Sequence, residues 1–288
     1  MGAHFQGLAP AAFPGMQRLR HRAGPSVFKG LAAHWPAVQH WSFARLAERA
    51  PDVQIQLVAG NRERGHTCFI DSTLASYLAS LEGGHEQGIQ ADQTLYLKEF
   101  DLLDTIPALR QDLRHADLFT PGSTFSLQSW IGPAHVRTGL HYDYLDNLAV
   151  QIVGRKRFYL VRAGTVERMH AVASKYDSWA RLASCTAQEL AENANANANA
   201  NANANANANA NAEAKGDFFV VDLEPGDVLH VPAGWWHEVL NLTPCILFGG
   251  FHGPRAQVSA RWAWVQSRDL LHRLGWLGHG NCTCHPAF

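Results

Sequence analysis

The run Gly226-Asp227-Val228-Leu229-His230-Val231-Pro232-Ala233-Gly234-Trp235-Trp236-His237 decides the fold class of this chain. It reads as a turn, a short apolar strand, a second turn and the opening of another strand. The turns are punctuated by Glu224-Pro225-Gly226-Asp227 and Pro232-Ala233-Gly234, where Pro presets φ and Gly accepts turn geometry. Working outward, residues 218–223, 228–231, 236–242 and 246–251 are short apolar or alternating stretches. Upstream, residues 126–130 and 148–161 repeat the pattern, with Gly154-Arg155 as the turn inside the second. Many short strands so punctuated predict a sandwich or barrel, a mainly β fold.

The flanks differ. Within the first 120 residues the pattern is mixed, with strands expected at 26–31 and 53–58 and helices at 42–50 and 72–81. Beyond the barrel, residues 256–274 predict an amphipathic helix carrying Trp262, Trp264, Val265, Leu270 and Leu271. Its apolar face suits a homodimer contact or packing on its own barrel. From Asn193 to Ala212 the chain is a strict Asn-Ala alternation. Asn is a poor strand former, and at every second position it circles all faces of a helix, so a solvated loop insertion, mobile or weakly helical, is expected. The expected division is an α/β extension over 1–119, the β core with its insertion over 120–255, and a helix and tail over 256–288.

Composition narrows the function classes. Hydrophobic residues make up 47% of the 288, enough for a substantial core, and the formal net charge of −1 gives no global pull toward nucleic acid or anionic membrane. Five scattered cysteines do not form a disulfide framework. Residues 1–22 lack the apolar core of a secretory signal and no stretch reaches the length of a membrane span, so a cytoplasmic protein with reduced thiols is expected.

One constellation carries chemistry. In Thr138-Gly139-Leu140-His141-Tyr142-Asp143, extended backbone points residues two apart to one face, so His141 and Asp143 present an imidazole and a carboxylate together. His237, opening the strand after the second turn, supplies a third ligand and shares its face with Val239 and Asn241. Two His and one carboxylate leave metal positions open, as non-haem Fe(II) oxygenases require. A 2-oxo acid can chelate two of them, and oxygen can take the last beside the substrate. An isolated His-x-Asp among 16 histidines is weak, and the ordered run ending at His237 adds most of the weight.

Taken with Trp130-Ile131-Gly132-Pro133, the stretch Asn147 to Lys156, and the early Val27-Phe28-Lys29-Gly30 and Trp35-Pro36-Ala37, these motifs resemble the small Jumonji-C hydroxylases. That family includes the asparaginyl hydroxylase acting on hypoxia-inducible factor. The resemblance covers most of the chain apart from the Asn-Ala repeat and the tail. It implies a double-stranded β-helix holding Fe(II), with 2-oxoglutarate as cosubstrate. It assigns Lys156 to the far carboxylate of the cosubstrate, with Thr138 assisting and Asn147 nearby. Tyr96 is expected to add a phenol from a neighbouring strand, and Arg157 is the rival of Lys156 on the opposite side of its strand.

Other residues rank below these. His230 reads as a packed core residue, while Asn241 and His252 are candidates to face the pocket. Trp235 and Trp236 are expected to wall the barrel and exclude water from the metal. Cys282-Thr283-Cys284-His285, with His279 nearby, is a poor zinc knuckle by spacing, and an unstructured tail is expected. Hydroxylation of a protein or peptide side chain is the expected activity, ahead of lysine demethylation. A non-catalytic metal-binding cupin module is the competing reading, since a binding module need not keep Thr138, Asn147 and Lys156 beside the triad.

Overall fold

The computed structural model describes residues 5–50, 52–61, 63, 65, 68–82, 95–114, 117–119, 124–204, 216–278 and 280–285, with only the backbone course described over 197–204. Two sheets form the body. The six-stranded sheet runs in the order β1 (Gln6–Gly7), β11 (Phe218–Leu223), β9 (Lys156–Val161), β13 (Trp236–Asn241), β7 (Arg137–Asp143) and β10 (Ala180–Leu182). The eight-stranded sheet runs β2 (Ser26–Phe28), β12 (Val228–Val231), β8 (Asp146–Val153), β14 (Cys245–His252), β6 (Thr124–Gly132), β5 (Leu95–Phe100), β3 (Gln54–Ala59) and β4 (Cys68–Thr73). From β6 onward the chain passes back and forth between the sheets, which is the double-stranded β-helix, or jelly roll, expected above.

Alternation along each strand sorts side chains into three apolar layers. Between the sheets lie Ala149, Phe158, Leu160, Leu223, Leu229, Val239 and Leu247. On the outer face of the larger sheet, Leu148, Val150, Ile152, Ile246 and Phe248 pack against the N-terminal helices through Trp35, Leu46 and Leu78. On the outer face of the smaller sheet, Leu140, Val161, Phe218 and Trp236 meet Ala187, Leu190 and Ala191 of the helix Ala187–Ala204.

Two turns fix this arrangement. Gly154, at φ +70°, joins β8 to β9, and a Cβ placed there would sit 2.0 Å from the Pro244 carbonyl oxygen, so no other residue fits. Asp227 closes the turn before β12 by accepting the Glu224 N–H at 2.8 Å and the Gly30 N–H at 2.9 Å, with Lys29 paired to it at 2.6 Å. The N-terminal segment is thereby tied to the turn that opens the deciding motif.

Of the two forms expected of the Asn-Ala repeat, the described part takes the helical one. The helix Ala187–Ala204 takes in the first twelve residues of the repeat, and the remainder lies outside the described residues. Its start has a local cause in Thr186-Ala187-Gln188-Glu189. Thr186 Oγ1 accepts the Glu189 N–H at 3.1 Å while Glu189 accepts the Thr186 N–H at 2.7 Å, a capping box. The buried Glu238 carboxylate also accepts the Ala187 N–H at 2.9 Å.

The C-terminal helix Arg255–Arg273 buries only Val265 and His272. Trp262, Trp264, Leu270 and Leu271 are left at least 38% exposed, so the helix packs on the body by a narrow edge. No described helix is long and apolar enough to cross a membrane.

Candidate metal centre and cosubstrate pocket

Strand pairing brings the three candidate ligands together. His141 on β7 is the direct cross-strand partner of His237 on β13, and Asp143 follows two residues along on the same face. The two imidazole centroids are 4.2 Å apart. The Asp143 carboxylate lies 3.5 Å from His237 Nε2 and 3.9 Å from His141 Nε2, and all three ligand atoms fall within 4.8 Å of one another. Each ring is aimed by its other nitrogen: His141 Nδ1 donates to the Gly139 carbonyl at 2.7 Å and His237 Nδ1 to the Trp235 carbonyl at 3.1 Å. This leaves both Nε2 lone pairs facing Asp143, the orientation that metal-ligating histidines need.

The local electrostatics suit a cation. Burial pushes both imidazoles below the ordinary histidine range, His237 to about 4, so they are neutral ligands near pH 7. The same desolvation raises the Asp143 carboxyl to about 6, against the attraction of His141 and the hydrogen bond from Asn147 Nδ2 at 3.4 Å. Neutral imidazoles and a carboxylate that is costly to ionise alone are matched by one divalent ion. With three protein donors, iron or a like metal keeps positions open for exchangeable ligands.

A cavity of about 320 Å³ opens beside this triad, lined from β7, β9 and β13 on one side and β6, β8 and β14 on the other. Thr138, Asn147, Tyr96 and Lys156 all line it. Lys156 is only 1% exposed, its Nζ donates to Tyr96 Oη at 2.8 Å, and among the described residues no carboxylate lies within ion-pair distance of it. Burial pushes its ammonium down from the ordinary lysine range. A buried cation short of an anion, in the same cavity as a buried Asn147 Oδ1 with no hydrogen-bond partner among the described residues, fits an anionic cosubstrate. Arg157 points the other way and grips Asp222 through two bonds of 2.6 and 2.7 Å.

Other expectations meet the geometry differently. Trp235 and Trp236 are buried but do not line the cavity. Trp236 is one residue from His237, so the pleat turns it to the outer layer, where its Nε1 meets Glu167 at 3.3 Å. Trp235 packs between the sheets near Phe219, its Nε1 bonded to the Ala23 carbonyl at 2.8 Å. Asn241 is occupied by the Pro133 carbonyl at 2.9 Å and stays out of the lining. His252 also stays out, buried beside the core residue His230 with ring centroids 5.8 Å apart. The tail is not loose over 280–285, where Cys282 forms a bridge with Tyr176, and His279 lies outside the described residues.

The cavity also holds residues that the sequence reading missed. Glu63 and Lys98 form a buried ion pair on its wall, and Glu63 accepts the Gly139 N–H at 3.3 Å beside the His141 strand. Lys98 had a signal, since it lies two residues from Tyr96 on one strand. Glu63 had none, being brought in from a distant loop. Asp177, Ser178 and Trp179 complete the rim.

A jelly roll with two histidines and an aspartate grouped beside an inter-sheet cavity is a cupin-type architecture. The chain belongs to the cupin-like domain family, whose model matches residues 10–256. It is similar to a Drosophila melanogaster Jumonji C domain-containing protein 5, with 25% identity over 227 residues, covering 76% of this chain and 52% of the relative. An Arabidopsis thaliana protein named lysine-specific demethylase JMJ30 is 26% identical over 228 residues, covering 76% and 47%. A zebrafish (Danio rerio) tRNA wybutosine-synthesizing protein 5 is 26% identical over 234 residues, covering 76% and 65%. The chain thus spans about half the length of most of these relatives.

Proposed function

We propose that this chain is an Fe(II)- and 2-oxoglutarate-dependent oxygenase that hydroxylates a protein or peptide side chain. The carrying observation is that the His141, Asp143 and His237 cluster and the unpaired buried Lys156 face one cavity. A cupin that merely held a metal would gain nothing from a buried cation lacking an anion, which costs folding free energy. His141, Asp143 and His237 would hold the iron, and Lys156 with Tyr96 and Thr138 the far carboxylate of the cosubstrate. When bound, iron and 2-oxoglutarate supply oxygen activation coupled to loss of carbon dioxide and formation of succinate. The protein's own work is to orient them: Asn147 steadies Asp143, the Gly139 and Trp235 carbonyls fix the two imidazoles, and the walls of the cavity limit water. The rim around Asp177–Trp179 would receive the substrate chain.

Lysine demethylation proceeds through the same hydroxylation, and relatives carry that name. Nothing in the cavity favours it over hydroxylation. The test is anaerobic addition of Fe(II) and 2-oxoglutarate to metal-free protein. A weak visible charge-transfer band needing both additions supports the reading, and so does slow succinate formation on admitting air. His141→Ala and Asp143→Ala should lose both signals. Iron binding with no such band would leave the binding-module reading in its place.

A further inference from the structure

We propose that His272, Cys282, Cys284 and His285 form a structural zinc site that clips the tail of the chain to the rim of the cavity. Their ligand atoms all lie within 4.8 Å of one another. The contacts are 3.3 Å between His272 Nε2 and His285 Nδ1, 3.3 Å from Cys282 Sγ to His285 Nδ1, and 3.3 Å from Cys284 Sγ to each of the two rings. Tetrahedral zinc with Zn–S near 2.3 Å and Zn–N near 2.05 Å sets neighbouring ligand atoms about 3.3–3.8 Å apart. Four of the six separations stand at the short end of that range, and the other two fall within 4.8 Å. Two thiolates and two neutral imidazoles balance the double charge of the ion.

The supporting structure points the same way. His272 Nδ1 donates to the Leu277 carbonyl at 2.6 Å, which keeps the Nε2 lone pair toward the thiols. Tyr176 stacks on the same ring at 4.3 Å and holds its plane. The one-residue spacing of the cysteines is no obstacle, because the backbone pairs with Tyr176 at Cys282 and then bends through Thr283, Cys284 and His285, which folds the second sulfur and the imidazole back toward the first. Tyr176 donates to Asn281 O at 2.9 Å and Thr283 donates back to Tyr176 O at 3.0 Å. Both sulfurs lie 3.3 Å from His285 Nδ1, and Cys284 Sγ also meets His272, while the Thr283 side chain points to Asp177 instead. Thr283 Oγ1 donates to Asp177 Oδ2 at 2.6 Å, and the other oxygen of Asp177 accepts the Trp179 and Ala180 N–H groups, both at 2.9 Å. Asp177, Trp179, Ala180, Thr283 and Cys284 all line the cavity. Zinc at this point would join the end of the C-terminal helix, the tail and the rim loop into one unit.

The experiment uses the full chain carrying His141→Ala and Asp143→Ala, so that metal at the triad is not counted. Purified from zinc-supplemented culture, it should contain one zinc per chain, and adding Cys282→Ser and Cys284→Ser should remove it. Cobalt(II) exchanged into the site should show the intense bands of tetrahedral thiolate coordination, absent from the serine variant. Chelation should also expose the tail to protease before the body unfolds. His285→Ala, at an exposed position, serves as a second variant and should weaken zinc retention at least tenfold while leaving the fold intact. A zinc-free, thiol-reduced tail that gives no cobalt–thiolate bands overturns the proposal. So does a Cys282–Cys284 disulfide in protein purified without reductant.

Discussion

Replacing Lys156 by methionine is expected to move two properties in opposite directions. The ammonium is 1% exposed and, among the described residues, has one hydrogen bond, to Tyr96 Oη. In the absence of cosubstrate it is a desolvated cation that only folding has buried. Methionine fills a similar volume without that cost, at the loss of a hydrogen bond worth about 1 kcal/mol. Exchanging buried charge for apolar volume stabilises proteins by about 1–4 kcal/mol, so the metal-loaded, cosubstrate-free variant should be the more stable. For a chain of this size that amounts to a rise of roughly 2–6 °C in Tm. Cosubstrate binding should suffer instead. A charge-assisted hydrogen bond to a carboxylate contributes about 1.5–3 kcal/mol, so affinity for 2-oxoglutarate should fall about 10- to 150-fold. Thermal unfolding with Mn(II) as a redox-inert substitute, with and without 2-oxoglutarate, reads both effects in one titration. The wild type should gain stability on adding 2-oxoglutarate, whereas the variant should start higher and gain little. A variant that starts lower and keeps the full gain would refute the assignment of Lys156 to the cosubstrate.

Three further outcomes are expected. Tyr96→Phe removes one neutral contact to Lys156 and should weaken 2-oxoglutarate about 2- to 10-fold without changing metal affinity, as followed by the charge-transfer band. Acid should destabilise the fold through His230 and His252, which burial pushes down to about 3 and about 4. Unfolded, these imidazoles take up protons near pH 6.5 that the folded ones refuse, so stability is whole above pH 6.5 and drains as the pH falls toward about 4. At pH 5 the pair should cost about 4 kcal/mol, and His252→Leu should halve that slope in urea titrations; an unchanged slope would remove the histidines as the cause. If the exposed apolar groups of the C-terminal helix pair two copies, Leu270→Glu with Trp262→Glu should halve the mass seen by light scattering. A wild-type monomer would end that reading.

How much was legible follows from what kind of contact placed each residue. The strands of the core were readable because alternation and the Pro-Gly turns are local signals, and 218–223 and 228–231 coincide with β11 and β12. The grouping of His141 with Asp143 rested on strand parity alone. Parity also held the correction for Trp236, since a residue adjacent to an inward histidine must face outward. The capping box at Thr186 is a local signal, whereas the Asn-Ala composition that follows it carries no helix periodicity of its own. Glu63 and His272 are different in kind. Each reaches its partners through tertiary packing, Glu63 from a loop and His272 from a helix ten residues before Cys282, and no spacing rule announces either.

The turn at Gly154 bears on how such a pocket can change over time. Only glycine fits there, and the next two side chains after Arg155 are an inward lysine and an outward arginine. Slipping this hairpin by one residue would exchange them, placing a guanidinium in the cavity and leaving Asp222 without its clamp. The bidentate pair on the outside therefore acts as a check on what faces inside, although it touches no ligand. Single substitutions around the cavity can retune it by degrees, but an insertion or deletion in this turn would reverse the wall in one step. Drift of the pocket is thus confined to exchanges of side chain on a backbone whose count cannot vary.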